Sequence, residues 1–175
     1  MSPGQNVLSF TETIAKRRTT KRVGVFRRRS AVVLTQKIWN IQVDGMPLQE
    51  WIRDWSGAQD MPAEMADLRS SFPAAGLLRI DHLLGLEQGP GPQRVGLLFC
   101  PICRNEACGY LSCELHVEED AVTWTRFGWE DTVAGSDRTT PIAGAETLSF
   151  DRQDYRATLL ALRQQISPAE ASASV

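Results

Sequence analysis

No apolar run in this sequence approaches the ~20 residues needed to cross a bilayer. The only uninterrupted apolar stretch near the N-terminal basic residues is Ala31-Val32-Val33-Leu34. Neither a membrane span nor a secretory leader is therefore expected. Histidine is scarce: His82 and His116 are the only two, which gives little support to a His-dependent triad or to His-based metal catalysis. Nucleophile elbow, Walker loop, dinucleotide fingerprint and H-E-x-x-H helix are all missing from the sequence. The run Gly89-Pro90-Gly91-Pro92 lacks the third glycine of a phosphate loop, and its prolines remove backbone donors, so it reads as a connector. Asp81 and His82 are chain neighbours that point apart on helix or strand, and Glu118-Glu119-Asp120 falls in a predicted reversal; both read as polar groups turned to solvent. No constellation argues for an enzyme.

What is present describes a globular chain. Its 175 residues are 42% hydrophobic and 23% charged, enough for one domain with its own core. The net charge of −2 is unevenly spread. Residues 1–37 hold nine Lys and Arg against Glu12, whereas residues 38–175 hold ten basic and twenty acidic side chains. The expected organisation is a basic, disordered N-terminal arm over residues 1–30, a single α+β domain over 31–166 and a disordered tail over 167–175. The arm carries Lys16-Arg17-Arg18, Lys21-Arg22 and Arg27-Arg28-Arg29. As a binding element, residues 16–29 would take phosphates on nucleic acid or anionic lipid; as a bland one, they are a solvated tail. Phe26 is the one aromatic among the clusters, so no base-stacking platform is indicated.

Along the domain, Val32–Val43 is β-branched and aromatic and predicts a strand closed by the Asp44-Gly45 turn. Pro47 suits a helix start, and Leu48, Trp51, Ile52 and Trp55 form an amphipathic stripe. A second short helix is expected from Asp60 to Phe72, and Leu77–Leu86 is apolar without a clear period. Val95–Phe99 predicts a buried strand. Leu111, Cys113, Leu115 and Val117 alternate with Ser112, Glu114 and His116 on a further strand. In the next one, Ala121–Phe127, Val122, Trp124 and Arg126 oppose Thr123, Thr125 and Phe127. These strands make an antiparallel meander. Residues 130–145 read as loop, 147–150 as a short strand, and Asp151 as the N-cap of a helix burying Tyr155, Leu159, Leu162 and Ile166.

The chemically informative segment joins two of those strands. Cys100, Cys103, Cys108 and Cys113 stand at C-x2-C-x4-C-x4-C. Four thiolates within fourteen residues suit the tetrahedral preference of Zn²⁺, and are too bunched for a disulfide framework, which makes the cytoplasm the expected compartment. The spacing resembles a zinc knuckle with Cys in place of its His, and departs from it where Arg104 replaces a glycine. A fourth ligand is less simple than it looks. If residues 110–117 are a strand, Cys113 lies on its apolar face and a three-cysteine site remains; if Gly109 opens a second tight turn, all four thiolates close on one ion. The four-cysteine set is the one preferred, with a structural Zn²⁺.

The block Leu97-Leu98-Phe99-Cys100-Pro101, Cys103, Cys108-Gly109, Val122-Thr123-Trp124 and Phe127, with Phe150-Asp151-Arg152 and Tyr155, resembles an uncharacterised family of small bacterial proteins with a C-P-x-C-x4-C-G core. The resemblance spans residues 32–166 and implies a shared fold and a larger role for Cys100, Cys103 and Cys108 than for Cys113. Three functions follow as expectations. The first is a zinc-binding adaptor whose acidic body docks a protein partner, one of basic character, without a membrane. The second is a nucleic-acid-binding protein using the arm and the knuckle. The third is a thiol-disulfide oxidoreductase using Cys100 and Cys103, disfavoured because strand pattern resumes too soon after Cys103 for an activating helix.

Overall fold

The computed structural model describes residues 4–23, 28–57, 68–69, 73–86, 92–99, 109–131 and 138–166. The chain is α+β, with antiparallel sheets and three helices among the described residues. Strands β1 (Leu8–Val23) and β2 (Arg28–Val43) form a hairpin in unbroken register from Leu8↔Val43 to Val23↔Arg28. The sheet thus begins well before residue 31, where the sequence reading starts the domain. The reason is visible in LSFTETI: Leu8 and Phe10 fall on one face of β1, and Leu8 is buried in the core beside Val43 and Ile41. At Asp44-Gly45 both φ angles are positive (54° and 77°), the tight-turn geometry that lets β2 fold back onto β3 (Met46–Pro47). A two-residue strand, β4 (Leu68–Arg69), pairs with β2 at Ile38 and Trp39. It occupies part of the stretch read as a helix over 60–72; the remainder of that stretch lies outside the described residues. Pairing to an existing sheet edge decides these two residues, which a local period does not reveal.

Helix α1 (Leu48–Ser56) follows Pro47 directly and buries Leu48 and Ile52, while Trp51 and Trp55 are half-buried at its rim. The Trp51 indole N–H donates to Val43 O at 3.1 Å, which ties the helix to β2. Helix α2 (Pro73–Leu83) starts on a proline, whose missing N–H costs nothing in a first turn, and buries Ile80 and Leu83.

The second sheet runs β5 (Gln93–Phe99), β6 (Tyr110–Val117), β7 (Ala121–Asp131) and β8 (Arg138–Pro141), with β9 (Leu148–Asp151) sharing the β8 edge of β7. β8 falls inside the stretch read as loop: RTTP has no apolar alternation, and it is a strand because β7 extends to Asp131 and offers it an edge. Helix α3 (Arg152–Ile166) buries Tyr155, Leu159, Leu162 and Ile166. The Asp151 carboxylate caps it, accepting from the N–H groups of Gln153 (2.9 Å) and Asp154 (3.0 Å). Leu111, Cys113, Leu115, Val122, Trp124 and Phe150 meet α2 and α3 in one core that also takes in Leu8, Ile41, Leu48 and Ile52, so both sheets share it. Asn6 sews the sheets together. It forms a parallel bridge with Phe150, its backbone N–H donates to Ser149 O at 2.6 Å, and its side-chain amide donates to Asp44 Oδ2 at 2.7 Å.

Two bulges shape β6 and its neighbours. On the β5 side the register skips Leu97, between Gly96↔Ser112 and Leu98↔Leu111. On the β7 side two residues, Arg126 and Phe127, oppose Cys113 alone. Arg126 takes φ 49°, an uncommon left-handed conformation that breaks the strand alternation. Phe127 therefore turns into the core (1% exposed) and Arg126 out to solvent, the reverse of the simple alternation drawn from the sequence.

Candidate functional site

The β5–β6 connection carries three of the four cysteines, Cys100, Cys103 and Cys108, which lie outside the described residues. β5 ends at Phe99 and β6 begins at Tyr110, and these two residues are register partners. Their rings stack with centroids 5.0 Å apart and planes 19° from parallel. From α2, the Arg79 guanidinium sits 3.7 Å above the Phe99 ring, a cation–π contact that shields this face of the stack. Phe99 is 3% exposed. Gly109, between Cys108 and Tyr110, has φ 74°, and a Cβ there would meet Glu130 O at 2.9 Å. The residue that follows the third cysteine is thus a glycine for two reasons: the left-handed backbone and the closeness of β7.

Cys113 lies elsewhere. It pairs with Val95 three residues inside β6, about 10 Å along the strand from Tyr110. It is a free thiol, wholly buried in the core with Leu111 and Leu115 on the same strand. Burial pushes its pKa well above the ordinary thiol value; the Arg94 charge opposes the shift and Glu114 adds to it. As it stands in the fold, this sulfur is a protonated core side chain. Among the described residues, no three or more His, Cys, Asp or Glu side chains cluster closely enough to hold a metal.

The outer face of the second sheet, beside the base of the cysteine connection, is a polar network. The Glu130 carboxylate on β7 accepts from Arg94 Nε on β5, from the Ser112 hydroxyl on β6 and from the Thr139 hydroxyl on β8 (2.9 Å to Oε2). Partial burial alone would raise the Glu130 pKa. The hydrogen bonds from Arg94, Ser112 and Thr139, with the Arg94 charge, outweigh it and hold the carboxyl below its usual value. Arg94 also donates through Nη1 to Arg126 O at 3.1 Å and so fixes the bulge. Further along β6, Glu114 faces Arg126 (3.3 Å), and the His116 ring lies 3.3 Å from the Thr125 hydroxyl. The Glu130 oxygens are engaged by the fold rather than offered to a substrate.

Sequence reasoning placed Ser112, Glu114 and His116 on one face of a strand, but not the Arg94–Glu130 pair or the Phe99–Tyr110–Arg79 stack. The members sit on separate elements, up to 36 residues apart for Arg94 and Glu130, and no local pattern links them. A hollow of about 250 Å³ beside the first turn of α3 is lined by Asn6, Leu8, Phe150, Asp154, Tyr155 and Thr158. It sets no nucleophile beside a base, and the Tyr155 hydroxyl is committed to Trp124 and Leu83. No described helix is long and apolar enough to cross a membrane. Comparison of the chain with protein-family models, with curated proteins and with solved structures finds no match.

Proposed function

We propose that this chain is a small zinc-binding protein that works by binding a partner, with Zn²⁺ held by the cysteines of the β5–β6 connection in a structural site. The observation that carries the reading is the Phe99–Tyr110 register. It closes the base of a segment containing Cys100, Cys103 and Cys108, so the sheet already meets most of the entropic cost of bringing the ends of that segment together. Left-handed Gly109 and the Arg79-capped aromatic stack keep that base rigid. Thiolates are the ligand type Zn²⁺ takes in closed structural sites, where the ion supplies folding free energy and no reaction. Cys100, Cys103 and Cys108 fit that role. Cys113 fits it less well, because its thiol is in the core and burial opposes its ionisation. A three-cysteine arrangement completed by another ligand is accordingly the favoured form. The partner would be a protein of basic character, met by acidic surface such as exposed Glu118, Glu119 and Asp120.

The test is metal content of the full chain purified without chelator, for the natural protein and for Cys→Ser variants at 100, 103, 108 and 113. One zinc per chain, lost with Cys100→Ser, Cys103→Ser or Cys108→Ser and kept with Cys113→Ser, is the expected pattern. Loss with Cys113→Ser in a variant that keeps its native circular dichroism would restore the four-cysteine site. Absence of metal, with the three thiols titrating freely, would overturn the reading and bring forward a reversible Cys100–Cys103 disulfide.

A further inference from the structure

The β1–β2 hairpin is long. Sixteen register pairs, from Leu8↔Val43 to Val23↔Arg28, span about 50 Å at roughly 3.4 Å per residue. Described contacts attach it to the rest of the protein at the proximal end. They include Asn6, just before β1, with Ser149, the Trp51 indole with Val43 O, β3 at Gln42 and Val43, and β4 at Ile38 and Trp39. On the face that buries Leu8 and Ile41, exposure rises to 54% by Ile14, whose partner Lys37 is also exposed. The ribbon has therefore left the core by the Ile14↔Lys37 pair, and eight further steps, about 27 Å, lie beyond Ala15↔Gln36.

That distal length is basic and contains no compensating acid. Between Thr13 and Val43 the sequence has no Asp or Glu, and the last acid before it, Glu12, is already paired with Lys37 at 2.7 Å. The register puts Lys16, Arg18, Arg22 and Arg29 at positions of one ribbon face and Arg17, Lys21 and Arg28 at positions of the other. Seven basic residues on two paired strands occupy positions spread over about 24 Å, an extended row matched to a linear polyanion. We propose that the distal β1–β2 ribbon, residues 15–23 and 28–36, is a double-stranded-DNA-binding arm that acts chiefly through phosphate contacts. A two-stranded ribbon fits the roughly 12 Å major groove of B-form DNA, and the deep, narrow major groove of A-form RNA does not admit it. Phosphates spaced along both groove walls would then run beside the basic positions of both strands. This binding stands apart from the metal site and does not depend on it.

The test is fluorescence anisotropy of the full chain with a labelled duplex of about 30 base pairs, over a salt series. With four to seven phosphates neutralised, log K should fall against log salt with a slope of about −4 to −6, so that affinity drops at least about 100-fold between about 50 and 200 mM salt. The combined variant Arg17→Gln, Arg18→Gln, Lys21→Gln and Arg22→Gln should flatten the slope by about 3 to 4 and weaken binding at low salt by at least about 100-fold. Its tryptophan fluorescence and melting should match the natural protein. Should that variant misfold, the double variant Lys16→Gln and Arg29→Gln provides the same reading with a slope change of about 2. A natural protein that does not bind duplex DNA, or binds with a slope shallower than about −1, overturns the proposal. So does a folded variant with an unchanged slope. Binding to vesicles rich in anionic lipid, or salt-sensitive self-association through the acidic body, would also overturn it if duplex DNA is not bound.

Discussion

The Trp124 indole N–H donates to the Tyr155 hydroxyl at 3.2 Å, and that hydroxyl donates in turn to Leu83 O at 3.1 Å. One oxygen thus joins β7, α3 and the last residue of α2 inside the core. Trp124 and Leu83 are both buried, so Tyr155→Phe orphans a buried donor and a buried acceptor. A loss of about 2–3 kcal/mol at neutral pH is expected, measured by urea unfolding followed by tryptophan fluorescence. An unchanged midpoint would show that the two groups find other partners.

The same residue predicts alkaline behaviour. Burial raises the Tyr155 pKa above the usual 10.0, more than the Trp124 hydrogen bond lowers it. The unfolded chain then releases the phenolic proton near pH 10 while the folded one keeps it. The Tyr155 contribution to stability is constant below that pH and falls as pH rises above it, by about 1.4 kcal/mol per unit. The Phe variant lacks this dependence, so its deficit relative to the natural protein should shrink above pH 10. A constant difference from pH 8 to 11 would contradict the assignment.

Glu130 predicts the acid side. Its folded pKa lies below the usual 4.5, so it contributes stability that is fully present above that value and is lost as pH falls through the lower folded value. Glu130→Gln should cost about 1–3 kcal/mol at pH 7, because a charge-assisted bond from Arg94 is lost. The cost should vanish in strong acid. Unfolding midpoints taken at neutral and acid pH check both the size and the direction.

Gly109→Ala puts a side chain into a left-handed backbone against Glu130 O. The expected cost is about 1–2 kcal/mol of stability, read from thermal or urea unfolding. A neutral substitution would mean that the backbone at 109 relaxes readily and that the base of the cysteine connection is less rigid than the geometry implies.

Cys113 should resist alkylation in the native protein. It is 0% exposed and its thiolate is disfavoured by burial. Iodoacetamide treatment followed by peptide mass spectrometry should leave Cys113 unmodified until denaturant is added. Labelling at the rate of an ordinary surface thiol would mean that β6 opens readily.

Part of the fold was legible in residue order. The 3.6-residue stripes of Leu48–Ile52 and Tyr155–Ile166, the capping Asp151, the Asp44-Gly45 turn and the alternation of Leu111, Cys113 and Leu115 are local signals, each carried within a few turns or rungs. The alternation already carried the conflict over Cys113, whose core position follows from its strand neighbours.

What the tertiary structure decided is whatever depends on partners distant in sequence. Leu68–Arg69 and Arg138–Pro141 are strands only because β2 and β7 offer them edges, and Phe127 is a core residue only because the bulge at Arg126 shifts the strand by one. The pairing of Leu8–Val23 with Arg28–Val43 turned the basic segment from a tail into a ribbon with a defined register. The Glu130 network and the Phe99–Tyr110 clasp join residues on three or four elements. Their energies depend on distances that only folding sets, and a one-dimensional pattern carries no term for those.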